Sequence, residues 1–340
     1  MGPFSASAVG VQYGDRNFGG GGEAGDFLSP AETQSSAAFA FVEAPLGSRA
    51  HLQAAARVEH VSVDGTPASK VSTSVDFAPV SGSIGALLEI SDAVKIGLTL
   101  SSAARAPGQV ELFARGPHDG PATFETGNPG LDIERANSLE ATLRLHQKRF
   151  RLEGALWGAR FSKYIFGNLT GNLCDDSGDC ANPPGGGLKQ LFYQQGDANF
   201  RGAEGHATYD LTTAPIGTLR AVALADYVRA KFTGGGDVPR IQPYRAGGGL
   251  NWTSQLLDAG FMMLYVGRQE HVPVGDTATA AYVSLDAQAA WRPFTQHDGF
   301  EIALVGHNLT DDTQRNAVAL NRDVVEQPGR DVRVVLRQTF

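Results

Sequence analysis

Apolar and polar residues alternate with period two along most of the chain, and helical spacing is almost absent. In Leu139–His146, Leu139, Ala141, Leu143 and Leu145 oppose Glu140, Thr142, Arg144 and His146. In Val94–Ser101, Val94, Ile96, Leu98 and Leu100 oppose Lys95, Gly97, Thr99 and Ser101. Val283–Arg292 and Val332–Arg337 repeat the pattern. Period two puts successive side chains on opposite faces of a strand. Fourteen strands are expected, at 4–14, 34–45, 49–63, 69–80, 93–102, 137–147, 149–163, 190–212, 217–232, 243–254, 257–269, 280–292, 299–307 and 330–340. Most reach the ~9–11 residues that a tilted strand needs to cross a bilayer, whereas strands of globular proteins usually hold about 5–6.

The connections sort by parity. Short ones fall at 44–48, 147–148, 213–216, 255–256 and 293–298, and long ones at 15–33, 103–136, 164–189 and 308–329. A membrane barrel has short turns on the periplasmic side and long loops outside. A soluble sandwich or propeller has no reason to sort its loops this way. With this parity the first strand runs outward, the last runs inward, and both termini lie on the short-turn side. Trp252 and Trp291 end strands that feed short turns, level with Phe150, Phe294 and Phe300. Such rings, with the terminal Phe340, fit the aromatic girdle of a membrane interface, where one edge of the ring is apolar and the other wet.

Composition agrees. The 340 residues include 28 Lys and Arg against 36 Asp and Glu, a formal charge of −8, which argues against a nucleic-acid partner. No run approaches the ~18 apolar residues of a transmembrane helix. The longest candidate, Ala259–Gly267, is half that. A wall with one lipid face and one wet face needs no such run, because lipid demands only that the ladder close its hydrogen bonds and aim apolar groups outward. Gly19–Gly22 and Gly234–Gly236 are loop glycines with no helix behind them, so they are not phosphate cradles. No nucleophile–base constellation stands out, and an enzyme is not expected.

Two stretches carry a specific resemblance. One is Ser102–Glu140, with Arg105-Ala106-Pro107, Glu111-Leu112, Gly127-Asn128-Pro129 and the Glu134…Glu140 pair. The other is Gly306–Phe340, with Asn308-Leu309, Arg315, Pro328-Gly329-Arg330 and the final Phe340. Weaker echoes occur at Phe27–Pro30, Gln195–Glu204 and Pro243–Leu250. The chain resembles the barrel of TonB-dependent outer-membrane receptors along essentially its whole length. The GPH-containing loop and the QGDA strand resemble the zinc-uptake branch, though similar words occur in siderophore receptors.

The resemblance implies an all-β, antiparallel transmembrane barrel spanning 1–340 as one partial domain in the bacterial outer membrane. Such barrels hold about 22 strands around a plug, so the chain reads as the C-terminal part of a receptor, with about eight strands, the plug and the TonB-binding segment outside it. It further implies TonB-dependent uptake of a metal ion or metal chelate, zinc or an iron-siderophore. The expected partners are outer-membrane lipid, the plug and TonB of a full-length parent, and the metal or siderophore; no resident cofactor is expected. Two other readings are a passive fourteen-strand porin and a soluble β-rich binding module.

Candidate ligand contacts lie at the expected outer mouth. The long loop 103–136 carries His118, Asp119, Glu125 and Asp132, and His and carboxylates suit zinc and similar ions. The bland alternative is that Arg105, Glu111, Glu125 and Glu134 hold that loop together by charged hydrogen bonds. His271 and His307 also reach the mouth, and His118 and His271 are the candidate metal ligands. Cys174 and Cys180 flank an acidic, Gly-rich loop; an oxidising location favours a disulfide, with a soft metal site or free thiols as alternatives. Glu140, Arg144, Glu204, His206, Arg333 and Arg337 are expected on the wet face, against a plug, a ligand path or plain water.

Overall fold

The computed structural model describes residues 4–22, 24–181, 187–294 and 299–338, and Phe340 lies outside them. In chain order the elements are β1 (Ala6–Phe18), helix α1 (Ala24–Phe27), β2 (Ala31–Leu46), β3 (Ala50–Gly65), β4 (Thr73–Phe77), β5 (Val80–Ser91), β6 (Val94–Arg105), helix α2 (Gln109–Phe113), β7 (Arg115–His118), β8 (Thr123–Thr126), β9 (Glu134–His146), β10 (Phe150–Cys174), β11 (Leu188–Ala214), β12 (Gly217–Phe232), β13 (Arg245–Thr253), β14 (Leu257–Val266), β15 (Tyr282–Trp291), β16 (Phe300–His307) and β17 (Asp331–Gln338).

One antiparallel ladder runs from β1 through β2, β3, β5, β6 and β9 to β10, then strand by strand to β17. β4 also pairs with β3, so β4 and β5 are halves of one wall strand. The break falls at Ala78-Pro79, where proline has no N–H to give the ladder, and Glu59 N donates to Pro79 O across it. Counted this way the wall has fourteen members, as the alternation predicts. No pairing joins β1 to β17 among the described residues, so the wall is not closed.

Three boundaries differ most from the expectation, besides smaller shifts such as the loop expected at 15–33, which shortens to 19–30 around α1. The strand expected at 69–80 covers only β4, while Val80–Ser91 is a full strand. β10 extends to Cys174 and β11 begins at Leu188, so the loop expected at 164–189 shrinks to 175–187. Loop 103–136 is not irregular throughout: it holds α2 and the β7–β8 hairpin, and β8 pairs in parallel with β11.

Register fixes the two faces, since directly opposed residues share one. Ile84, Leu100 and Leu139 are opposed in a row, as are Leu88, Ile96 and Leu143. Leu98, Ala141 and Leu156 form another row, continued by Ala203 and Tyr227. These large side chains are exposed, as are Val9, Val11, Phe261, Met263, Leu304, Val332, Val334 and Leu336 on the same face. A soluble module would bury such a belt under a second layer. The opposite face carries Glu140, Arg144, Glu204, His206, Arg333 and Arg337, as the alternation predicts. Trp291 shares the apolar face with Leu257 and Ile302, and Trp252 shares it with Ala259. Both tryptophans sit one or two residues from short turns.

A buried core lies beyond the belt at the long-loop end. It joins Phe27 and Leu28, Val61 and Val63 of β3, Phe77, Leu112 and Phe113 of α2, Leu131 and Ile165. Two glycines permit it. A Cβ on Gly65 would come within 2.3 Å of the Phe113 ring, and one on Gly127 within 2.5 Å of the Leu112 backbone.

Candidate functional site

The core just described turns the long loops into an ordered cap. α2 is anchored by the buried Gln109, whose amide donates to Arg16 O and Ala31 O at the tops of β1 and β2. Its first turn is closed by Glu111, which accepts from Gly108 N at 2.7 Å. Arg105 at the end of β6 forks between Glu111 and Glu134 with four contacts of 2.8–3.1 Å. Glu134 also accepts from Ile165 N of β10. Fork geometry matched to carboxylates makes this a strong tie.

Glu125 is the second tie. Its carboxylate is 2% exposed and has three partners. Thr123 Oγ1 donates to Oε1 at 2.8 Å, Tyr193 OH donates to Oε2 at 2.8 Å, and His118 Nδ1 lies 2.9 Å from Oε1. The His118 ring stacks on Phe27, centroids 4.1 Å apart. Burial, then the Glu125 charge and hydrogen bond, push the Tyr193 phenol well above its usual range. The cluster therefore joins α1, the β7–β8 hairpin and β11 around one buried charge.

The third tie closes the cap from the far side. Arg322, in loop 308–330, and Asp276, in loop 267–281, form an ion pair with both side chains 1% exposed. Arg322 Nε donates to Thr277 O at 2.7 Å and Nη1 to Ala319 O at 2.8 Å. The same loop receives Lys189 Nζ of β11 at Leu320 O and Asp323. Asn321 Nδ2 donates to Gly120 O beside the β7–β8 hairpin. Loop 308–330 thus straps across the mouth from β16 to β8 and β11. At the tip of the β10–β11 hairpin, Cys174 and Cys180 are joined by a disulfide.

The candidate contacts are not brought to one point. His118 faces Glu125, His271 Nδ1 lies 4.0 Å from Asp237, and His307 Nδ1 lies 3.5 Å from Asp286. Among the described residues no group of three His, Cys, Asp or Glu could hold a metal ion. Tyr193, Phe27 and the Arg322–Asp276 pair escape a reading of the sequence, because each acquires its role only through partners far along the chain, and Thr123, two residues from Glu125, carries no local mark of its role. On the polar face below the cap is a recess of about 620 Å³, lined among others by Trp157, Glu153, Glu204, His206, Asp226 and Arg245. Asp226 is tied to Arg245 at 3.0 Å, whereas Glu204 and His206 have no partner among the described residues. Nearer the short turns, Arg292 bridges Asp258 and Glu301, and Arg337 joins Glu301.

A family model described as TonB dependent receptor-like, beta-barrel, matches residues 1–309. Among solved structures, a copper transporter, OprC, superposes with a TM-score of 0.75 at 17% identity, over 91% of this chain and 48% of its own. The FrpB iron transporter from Neisseria meningitidis (F3-3 variant) gives 0.66 at 15% identity, over 92% of this chain and 46% of its own. The hemophore receptor HasR of Serratia marcescens, a double mutant solved with its hemophore HasA and heme, gives 0.66 at 15%, over 98% and 56%. At these identities the likeness shows the fold. The chain spans about half the length of these structures.

Proposed function

The chain belongs to the TonB-dependent receptor β-barrel family, and from that premise we propose that it supplies the wall and outer loops of an importer for a metal ion or metal chelate, zinc or an iron-siderophore. It lies in the outer membrane with its short turns periplasmic and its long loops outside. Receptors of this family are transporters, not enzymes.

The observation that carries the reading is the pairing of two features in one wall. An apolar belt faces outward. Behind it a charged inner face lies below a cap held by the buried carboxylates Glu125, Glu134 and Asp276. The cap intercepts a scarce ligand at the surface, and the polar face offers a path inward. His118, Glu125, His271 and His307 are the contacts we assign to the ligand, with His118 and His271 as metal ligands. Since they sit apart, each beside its own carboxylate, a bare ion would have to draw these side chains together. A ligand-bound chelate needs no such rearrangement, because it spans separated contacts. Release inward would rest on a plug segment and TonB, which act on the polar face.

Titration of the refolded chain with Zn²⁺, Cu²⁺ and a ferric siderophore tests this. Binding of at least one, weakened about ten-fold by His118→Ala or His271→Ala, is the expected result. Identical affinities for all variants would remove these residues from the site, and no binding of any probe would remove the capture role.

A further inference from the structure

The outward face does not change directly from apolar residues to loops. Above the row Leu98–Ala141–Leu156–Ala203–Tyr227, the next row opposes Arg201 to Arg229 and continues through Gly158 to Leu139. The row after that sets Arg160 between Asn137 and Asn199, with Lys231 opposite Asn199. Arg135 follows one row higher, opposite Ser162. Five cations on four adjacent strands therefore share the lipid-side face, in a protein whose formal charge is −8.

Their level is set by geometry. Arg160 lies ten residues above Phe150, the first residue of β10 after a short turn. At ~3.3 Å per residue and a tilt of about 40–45°, that is roughly 24 Å up, the height of the ~25 Å apolar band. The cations stand where the outer leaflet gives way to its headgroups.

Their pairing sets the charge of the partner. Arg229 is neutralised by Asp237 at 2.7 Å, and Arg135 donates to Val80 O and Ser102 Oγ. The nearby Asp132 is engaged by Lys163, and Asp197 accepts from Lys163 N. The side chains of Arg160, Arg201 and Lys231 are exposed and have no hydrogen bond or ion pair among the described residues. Cations on a lipid-facing surface need anions, and two guanidiniums with one ammonium suit phosphate oxygens.

We propose that Arg160, Arg201 and Lys231 form a binding surface for the phosphate groups of an anionic glycolipid of the outer leaflet, of the lipid A type. The acyl chains would lie on Leu139, Leu156 and Tyr227 directly below. The asparagines of the same row, Asn137 and Asn199, add neutral hydrogen-bonding capacity to the headgroup.

The test is retention of lipid by the full chain in phosphatidylcholine vesicles doped with bis-phosphorylated or dephosphorylated lipid A, followed by extraction and mass spectrometry. The wild-type chain is expected to prefer the phosphorylated form by about ten-fold or more. The variant R160Q/R201Q/K231Q should lose that preference, while R144Q, on the polar face, should keep it. Heat-modifiable migration of each variant reports folding. If the triple variant fails to fold, the single substitutions at these exposed positions should each lower the preference. An unchanged preference in the folded variants, no preference in the wild type, or displacement of lipid A by millimolar inorganic phosphate would overturn the proposal.

Discussion

Replacing Arg322 by methionine isolates the strap that crosses the outer mouth. The substitution leaves Asp276 buried at 1% exposure without its cation. It also removes the donors to Thr277 O and Ala319 O. Removing one partner of a buried pair costs about 3–5 kcal/mol, because the remaining charge has lost its compensation. The cost falls on a local opening of loops 267–281 and 308–330, not on the wall, whose ladder Arg322 does not touch. At the lower bound of about 3 kcal/mol, the open fraction rises roughly 150-fold until opening saturates. Amide exchange in the two loops reads this directly, with β12 and β13 as the unaffected reference. The double variant D276L/R322M removes the stranded charge as well, and exchange should return to within about 1 kcal/mol of wild type, since apolar replacement of a buried pair is often near neutral. Single and double variants exchanging at the same rate would refute the reasoning. So would a change of less than about three-fold in R322M, well short of one pH-unit equivalent of free energy.

Leu156→Arg places a cation in the middle of the outward belt, where Leu156 is 66% exposed to lipid; it should destabilise the folded wall by about 2–4 kcal/mol, read as a lower denaturant midpoint in vesicles, while Glu140→Gln on the polar face should have little effect. Gly127→Ala sets a methyl 2.5 Å from the Leu112 backbone, so loop 106–133 should become protease-sensitive with the wall intact. Tyr193 has a raised phenol in the folded chain. Its contribution is full below the usual tyrosine value near 10 and is lost as pH climbs from there toward the folded value; loosening of the cap above about pH 10, reduced in Tyr193→Phe, is the expected signature. Asp132 runs the other way: the hydrogen bond from Lys163, then that from Ile133 N, holds it below its usual range, so its contribution is present above about pH 4 and fades as pH falls through the lowered value.

The wall is legible in the sequence because each lipid-facing position needs an apolar side chain and each inner position tolerates a polar one. The rows through Leu98, Leu139 and Leu156 are examples. The expected strand 69–80 runs through Pro79, where pairing to β3 breaks, and so misses the full strand Val80–Ser91 beyond it. The expected strand 149–163 stops short of the upper half of β10 because the alternation changes meaning above the membrane: there Ile165 and Leu169 are buried against protein rather than lipid. The Glu125 cluster could be read only in part. His118 and Glu125 stand seven residues apart in one loop, whereas Tyr193 reaches them from 68 residues on. Nothing local marks Arg322 or Asp276, whose burial comes from two loops meeting across the mouth.

The β10–β11 hairpin is far longer than a bilayer requires. Its strands hold 25 and 27 residues, of which about 9–11 suffice to span the hydrocarbon. The remainder is a pylon laced by its own ladder, with a disulfide closing the start of the loop at its summit. Bilayers that thin or thicken will move the waterline along this pylon without disturbing the machinery hung from its upper rungs. The surface apparatus therefore keeps its shape in membranes of differing depth.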